Sequence, residues 1–157
     1  MFLHTLMAFF NLAQPSALSA DIWTLTAGPN QDVYVGKNYE GVFRSLDNGE
    51  NWALASEGLK FDYHTYRLAA APDGTLFAGT DRSIFRSVDH GNSWKAVGAG
   101  LPGGWQLIWN LVCDSRGNLF VGGVWEPEGI LAGTQIFGVF RSIDRGESWS
   151  PVGGGLP

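Results

Sequence analysis

The chain has 157 residues, of which 45% are hydrophobic and 16% are charged, so its composition excludes a disordered protein and predicts a folded core. The net charge of −5 and the lack of a lysine run argue against nucleic acid or an anionic membrane surface as a partner. The single cysteine, Cys113, excludes an intrachain disulfide and a multi-thiolate metal site. We predict no metal and no other cofactor.

Residues 1–20 form a short apolar segment, FLHTLMAFFNLA, followed by Pro15 and the small residues SALSA. This pattern is typical of a secretory signal peptide cleaved after Ser19 or Ala20, and the apolar run is too short to span a bilayer. No Lys or Arg precedes the apolar core, and the alternative is a piece of an upstream strand. The segment predicts an extracellular or periplasmic protein.

From residue 21 to residue 157 the sequence repeats three times. The segments DVYVG, TLFAG and NLFVG end at Gly36, Gly79 and Gly122, with a constant spacing of 43 residues. A segment like IWTLTA and a turn rich in Gly, Asn and Asp precede each of them, and a segment like GVFRS follows. Four short strands per repeat predict the blade of a β-propeller, and the fold class is therefore all-β. The predicted four-stranded antiparallel blades span about residues 21–60, 61–103 and 104–157.

The first strand of each repeat has an aromatic residue at one shared position, Trp23, Tyr66 or Trp109. In the same alignment Cys113 matches Ala27 and Ala70. A cysteine that replaces alanine predicts a small packing position rather than a nucleophile.

A motif with the pattern Ser-x-Asp-x-Gly-x-x-Trp, which we call the box, occurs between the third and fourth strands of each repeat. The boxes consist of Ser45, Asp47, Gly49 and Trp52; of Ser87, Asp89, Gly91 and Trp94; and of Ser142, Asp144, Gly146 and Trp149. A Gly-Leu pair follows each box tryptophan after six residues, at 58–59, 100–101 and 155–156.

Every residue type in the box has a structural use. The carboxylate accepts hydrogen bonds from turn amides, the glycine permits a positive φ, and the indole covers the turn. One carboxylate per turn is too few for a calcium loop, which needs several oxygens. We therefore predict three structural turns rather than three catalytic sites, and we predict structural roles for the preceding arginines, Arg44, Arg86 and Arg141.

The three boxes resemble Asp-boxes, also called bacterial neuraminidase repeats, and the resemblance covers residues 21–157. Such repeats occur in sialidases, xyloglucan-cleaving hydrolases, sortilin-type receptor domains and photosystem assembly factors. The resemblance implies a β-propeller in which the box lies at the blade periphery and is not catalytic. It therefore implies an architecture more than an activity.

The boxes leave one face of the propeller for function. In a four-stranded up-and-down blade, the first and third turns share one face, whereas the second loops and the linkers between blades share the other. Loops on a rigid scaffold often bind ligands. The second loop is longest in the third repeat, where the stretch 123–138 contains all of the extra length.

The candidate ligand-binding residues lie in these loops and linkers. They are Trp125 in the long loop, Trp105 in the linker 102–106, Asp62, Tyr63 and His64 in the linker 60–66, and Arg82 in a second loop. The repeat does not explain Trp105 or Trp125, and aromatic rings beside carboxylates suit sugar rings. Glu126 and Glu128 are candidates for a glycosidase pair, and no other catalytic residue is assignable. The alternative is a solvated loop with one tryptophan packed on a neighbouring blade.

The arginines do not support sialidase chemistry, because only Arg67 and Arg82 lie outside the boxes and the turns of the box face. We therefore predict a binding or scaffold module for a glycan or a protein. The alternative is a fragment of a sialidase-like or other glycoside hydrolase. Because propellers typically have four to eight blades, the three repeats are expected to belong to a longer propeller or to close a ring by self-association.

Overall fold

The computed structural model describes residues 22–59, 64–81, 83–102, 105–125 and 136–153. Within these residues every regular element is a β-strand, and the strands form three four-stranded antiparallel sheets. The predicted all-β fold of propeller blades is confirmed.

The sheets follow one another along the chain, and we call them blades 1, 2 and 3. Blade 1 contains β1 (Ile22–Ala27), β2 (Val33–Lys37), β3 (Gly41–Ser45) and β4 (Ala53–Leu54). Blade 2 contains β5 (Thr65–Ala70), β6 (Leu76–Thr80), β7 (Ile84–Ser87) and β8 (Lys95–Ala96). Blade 3 contains β9 (Trp105–Cys113), β10 (Leu119–Trp125), β11 (Ile136–Ser142) and β12 (Ser150–Val152). Each strand pairs with the next one in sequence, as in an up-and-down propeller blade.

Two hydrophobic cores lie between consecutive blades. The core between blades 1 and 2 includes Tyr34, Leu68 and Trp94, and the core between blades 2 and 3 includes Phe77 and Trp149. The first strands adjoin one another, since β1 contacts β5 and β5 contacts β9. Because side chains alternate between the two faces of a strand, a middle blade buries apolar side chains on both faces.

The first strand of each blade has a β-bulge at the same repeat position. The pairing register skips Trp23 in β1, Tyr66 in β5 and Trp109 in β9. A bulge inserts one unpaired residue and changes the direction of its side chain. The aromatic position shared by the three repeats is therefore a bulge position.

The predicted loop 123–138 is wrong at both of its ends. Residues 123–125 complete β10 and residues 136–138 begin β11, and the two segments pair with each other. Trp105, predicted to lie in a linker, begins β9 and pairs with Trp125. The residues that extend these two strands, 123–125 and 136–138, include aromatic and β-branched side chains, which favour a pleated sheet. The hairpin of blade 3 therefore extends further than those of blades 1 and 2.

Candidate functional site

Each box forms a turn that is held by its own serine and aspartate. The Ser45 hydroxyl donates to Asp47 Oδ1 at 2.8 Å and accepts the Gly49 N–H at 2.8 Å. Asp47 Oδ1 also accepts the N–H of Asn51 at 2.8 Å. The other two boxes repeat the serine–aspartate bond at 2.7 Å, and all three box glycines have positive φ. The three aspartates therefore belong to three separate turns.

The hydrogen bonds of the boxes predict that the fold is sensitive to acid. The Ser148 side chain and backbone and the Ser142 hydroxyl donate hydrogen bonds that lower the pKa of Asp144 from 3.8 to about 2. Because the folded pKa lies below the unfolded value, the stabilisation is complete above the unfolded pKa and is lost as the pH falls through the folded pKa.

We expect the urea concentration at the unfolding midpoint to decrease as the pH is lowered from about 4 to about 2. In Asp144→Asn this decrease is expected to be smaller. Urea unfolding at a series of pH values measures the effect. Wild type and Asp144→Asn with the same pH dependence would contradict it.

The box tryptophans of blades 2 and 3 bond each blade to the preceding one. The Trp94 indole N–H donates to the carbonyl of Ala55 in blade 1 at 2.8 Å, and the Trp149 indole N–H donates to the carbonyl of Val97 in blade 2 at 2.9 Å. Both rings are buried. Each indole thus bonds two blades in addition to covering its own turn.

The arginines before the boxes bond in the opposite direction, to the following blade. Arg44 donates to the carbonyl of His90 at 2.8 Å, and Arg86 donates to the carbonyl of Arg145 at 3.1 Å. Arg86 also pairs with Glu147 at 2.8 Å. These contacts give Arg44 and Arg86 structural roles between blades.

Contacts between neighbouring blades identify which turns and loops share each face of the propeller. On the box face, Asp73 in the first turn of blade 2 pairs with Arg145 in the box of blade 3 at 2.9 Å. On the opposite face, His64 in a linker contacts Asn38 in the second loop of blade 1 through its ring Nδ1. The second face is therefore built from second loops and linkers, in agreement with the topology predicted for a four-stranded blade.

An aromatic cluster lies on this second face, and we define it as Trp23, Asn38, Tyr39 and His64. The His64 ring centroid lies 4.0 Å from that of Tyr39 and 5.7 Å from that of Trp23. Trp23 and Tyr39 are both exposed. The bulge in β1 places Trp23 here, whereas the linker supplies His64.

The loop that carries Tyr39 is strained and charged. Tyr39 has a φ of 54°, in the left-handed region that bulky residues rarely adopt. Lys37 at the end of β2 forms an ion pair of 2.7 Å with Glu40 in this loop. Strain of this kind is often retained where a ligand binds, so the cluster is the candidate functional site.

His64 is a predicted ligand-binding residue that the structure places in the aromatic cluster. Trp125 is half-buried, and its ring lies edge-on to Phe140 with centroids 5.3 Å apart. A Cβ on Gly138 would come within 2.8 Å of the Trp125 ring, so this tryptophan packs closely on its own blade.

The other predicted positions are less completely described. The backbone of Trp105 lies in β9, and Asp62, Tyr63, Arg82, Glu126 and Glu128 lie outside the described residues. Their roles stay predictions. Sequence reasoning missed Trp23 as a site residue, and it missed Asn38 and Tyr39, for which the signal was the polar and aromatic run KNYE in a short loop.

The described residues contain no group of three or more His, Cys, Asp or Glu side chains arranged to hold a metal ion. Over the same part of the chain, no helix has the length and apolar character needed to cross a membrane.

No protein-family model and no curated protein matches the chain. Among solved structures, the chain is similar to an ancestral GH74 enzyme, with 16% identity over 87% of this chain and 20% of that one and a TM-score of 0.68. It is similar to the GH74 enzyme of Niastella koreensis, with 20% identity over 81% of this chain and 20% of that one and a TM-score of 0.62. It is also similar to a gluconolactonase of Xanthomonas campestris, with 13% identity over 85% of this chain and 48% of that one and a TM-score of 0.59.

These similarities support the β-propeller fold. The chain spans about a fifth of each GH74 enzyme and about half of the gluconolactonase. At these identities they show the architecture alone.

Proposed function

We propose that the chain is an exported β-propeller module of the Asp-box type that binds a carbohydrate on its aromatic cluster. The observation that carries this proposal is the pair of exposed rings, Trp23 and Tyr39, on either side of the half-buried His64 on the face opposite the boxes. Export is inferred from the apolar segment 1–20.

The chemistry of the cluster suits a sugar. A sugar ring has apolar C–H faces, which pack on aromatic rings, and hydroxyl groups, which need hydrogen-bonding partners. Asn38, which contacts the His64 ring, supplies an amide beside the rings, and Glu40 supplies an exposed carboxylate next to Tyr39 in the chain. The gluconolactonase among the similar structures is described as important in glucose metabolism, and this supports a sugar-derived ligand for a propeller of this kind.

We expect Trp23→Ala and Tyr39→Asn each to weaken glycan binding by about tenfold or more, which is about 1.4 kcal/mol. Asparagine is chosen at position 39 because it tolerates a left-handed backbone, so the loop keeps its shape. A glycan array identifies the ligand, and calorimetric titration of that glycan measures the affinity.

The matched control is Val88→Ala, which removes an exposed apolar side chain from a box turn on the other face. Its affinity should equal that of the wild type. The absence of any bound glycan, or unchanged affinity in Tyr39→Asn, would contradict the proposal. Binding of a protein that Tyr39→Asn abolishes would assign the face to a protein ligand instead.

The second candidate function is that of a segment of a glycoside hydrolase, which the two GH74 neighbours favour. Glu126 and Glu128 are the carboxyl groups that the long loop offers for such chemistry. Turnover of aryl-glycosides by the purified chain, lost in Glu126→Gln, would support this candidate. A chain that leaves these substrates intact, or that keeps full turnover in Glu126→Gln, would show that Glu126 and Glu128 do not form a working glycosidase pair within this segment.

A further inference from the structure

Blade 1 packs on blade 2, and blade 2 packs on blade 3, through equivalent positions of the repeat. Blade 3 has the same kind of surface on its side away from blade 2. A Cβ on Gly36 of blade 1 would lie 2.9 Å from the Thr65 side chain of blade 2. A Cβ on Gly79 of blade 2 would lie 3.1 Å from the Ile108 side chain of blade 3. Gly122 occupies the same repeat position in blade 3, and none of the described residues lies within 4 Å of a Cβ placed there. With respect to the described part of the chain, the site that accepts a side chain from the next blade is therefore open at Gly122.

Blade 1 presents the side chains that match this open site. Ile22 is the repeat equivalent of the two inserted side chains, and it is 43% exposed, whereas its equivalents in blades 2 and 3 are each 2% exposed. Leu25 is 63% exposed, whereas its equivalents Leu68 and Leu111 are 7% and 5% exposed. These exposed apolar side chains lie where a preceding blade packs in the rest of the chain.

A groove of about 400 Å³ crosses all four strands of blade 3 and includes Gly122. Its walls include Trp109 and Phe137, whose ring centroids are 5.4 Å apart, together with Val139 and Val152. Trp109 and Phe137 are exposed. The groove is therefore a largely apolar surface along the full width of the blade.

We propose that blade 1 of a second copy of this chain fills the groove, so that two copies close head to tail into one six-bladed ring. The contacts between the two copies are equivalent to those that blade 1 forms with blade 2, and blade 2 with blade 3, within one chain. Six blades lie within the range typical of propellers, and a head-to-tail interface closes into a ring when its rotation permits. This inference is independent of the carbohydrate proposal.

Charged residues complement each other across the proposed interface. Between blades 2 and 3, Arg86 pairs with Glu147 at 2.8 Å. The repeat equivalents of this pair are Arg141 in blade 3 and Glu50 in blade 1, and both are exposed. In the ring, Arg141 of one copy pairs with Glu50 of the other.

Hydrogen bonds from tryptophan side chains to backbone carbonyls follow the same register. The indole N–H groups of Trp94 and Trp149 donate to Ala55 and Val97 in the preceding blades. The next acceptor in the repeat is the carbonyl of Val152, and the donor that reaches it in the ring is the indole of Trp52 from the second copy.

The mass of the 157-residue chain in solution tests the proposal. Sedimentation equilibrium is expected to give a species of twice 17.0 kDa. Gly122→Trp places a large side chain in the groove, at a position where a Cβ meets none of the described residues, and we expect it to raise the dissociation constant by at least about tenfold. Arg141→Glu is expected to act in the same direction, and the double variant Arg141→Glu with Glu50→Arg to restore association.

Lys95→Glu is the control, because it makes the same change of charge at an exposed residue of blade 2. It should leave the dissociation constant unchanged. A monomer at every concentration up to about 100 µM would overturn the proposal. A dimer that Gly122→Trp leaves intact would overturn it as well, since association would then use another surface.

Discussion

Gly58→Ala is expected to lower the free energy of unfolding by about 3 kcal/mol or more, through the junction of blades 1 and 2. Gly58 has a φ of +88°, and a Cβ at this position would lie 2.3 Å from the carbonyl oxygen of Trp94. The Trp94 backbone cannot easily withdraw, because its N–H donates to the carbonyl of Glu57 at 2.7 Å. The substitution therefore combines backbone strain with a steric overlap between blades.

Gly117→Ala is the matched control for this prediction. Gly117 has a φ of +84°, but none of the described residues lies within 4 Å of a Cβ placed there. This variant carries the backbone strain alone and is expected to lose about 1–2 kcal/mol. Urea denaturation of the two variants separates the contributions. Equal losses would show that the contact between Gly58 and Trp94 has no effect on stability.

Trp94→Ala is expected to lower the free energy of unfolding by about 3–5 kcal/mol, the range for truncation of a buried tryptophan. The indole is part of the core between blades 1 and 2, and its N–H bonds the Ala55 carbonyl. Trp94→Phe retains most of the apolar area but leaves that carbonyl without the indole donor, and it is expected to cost about 1–2 kcal/mol.

The control for Trp94 is Trp52→Ala, in the equivalent position of blade 1. The Trp52 indole is only half-buried, and it donates to Gly49 within its own turn at 3.0 Å. We expect a loss at least about 2 kcal/mol smaller than in Trp94→Ala. Both variants are measured in the Arg141→Glu background, so that association does not contribute. Equal losses would contradict a role for Trp94 between blades.

Much of the architecture could be predicted because its signals are local and occur three times. The glycines at a spacing of 43 residues and the turn residues before them indicated the four strands of each blade. The box residues were expected to hold a turn, and the hydrogen bonds of Ser45 and Asp47 have that geometry. A turn depends on residues a few positions apart, and a single sequence contains that information.

The candidate site was predicted only in part. His64 was singled out, whereas Trp23 and Tyr39 were not connected with it. The contact of His64 with Asn38 spans 26 positions and depends on how a linker passes beside a loop. The bulge that carries Trp23 depends on the register of β1 with β2, which no local pattern specifies.

The sequence by itself determined the repeat, the strand order within each blade and the turns, because these follow from alternation and turn chemistry between near neighbours. Only the tertiary structure decided which blade the tryptophans of the second and third boxes bond and which side chains meet on the second face. It also decided that, among the repeated glycines, Gly122 is the one that no described residue covers. These features arise from contacts between residues that are far apart in the chain, and such contacts exist only after the blades have packed.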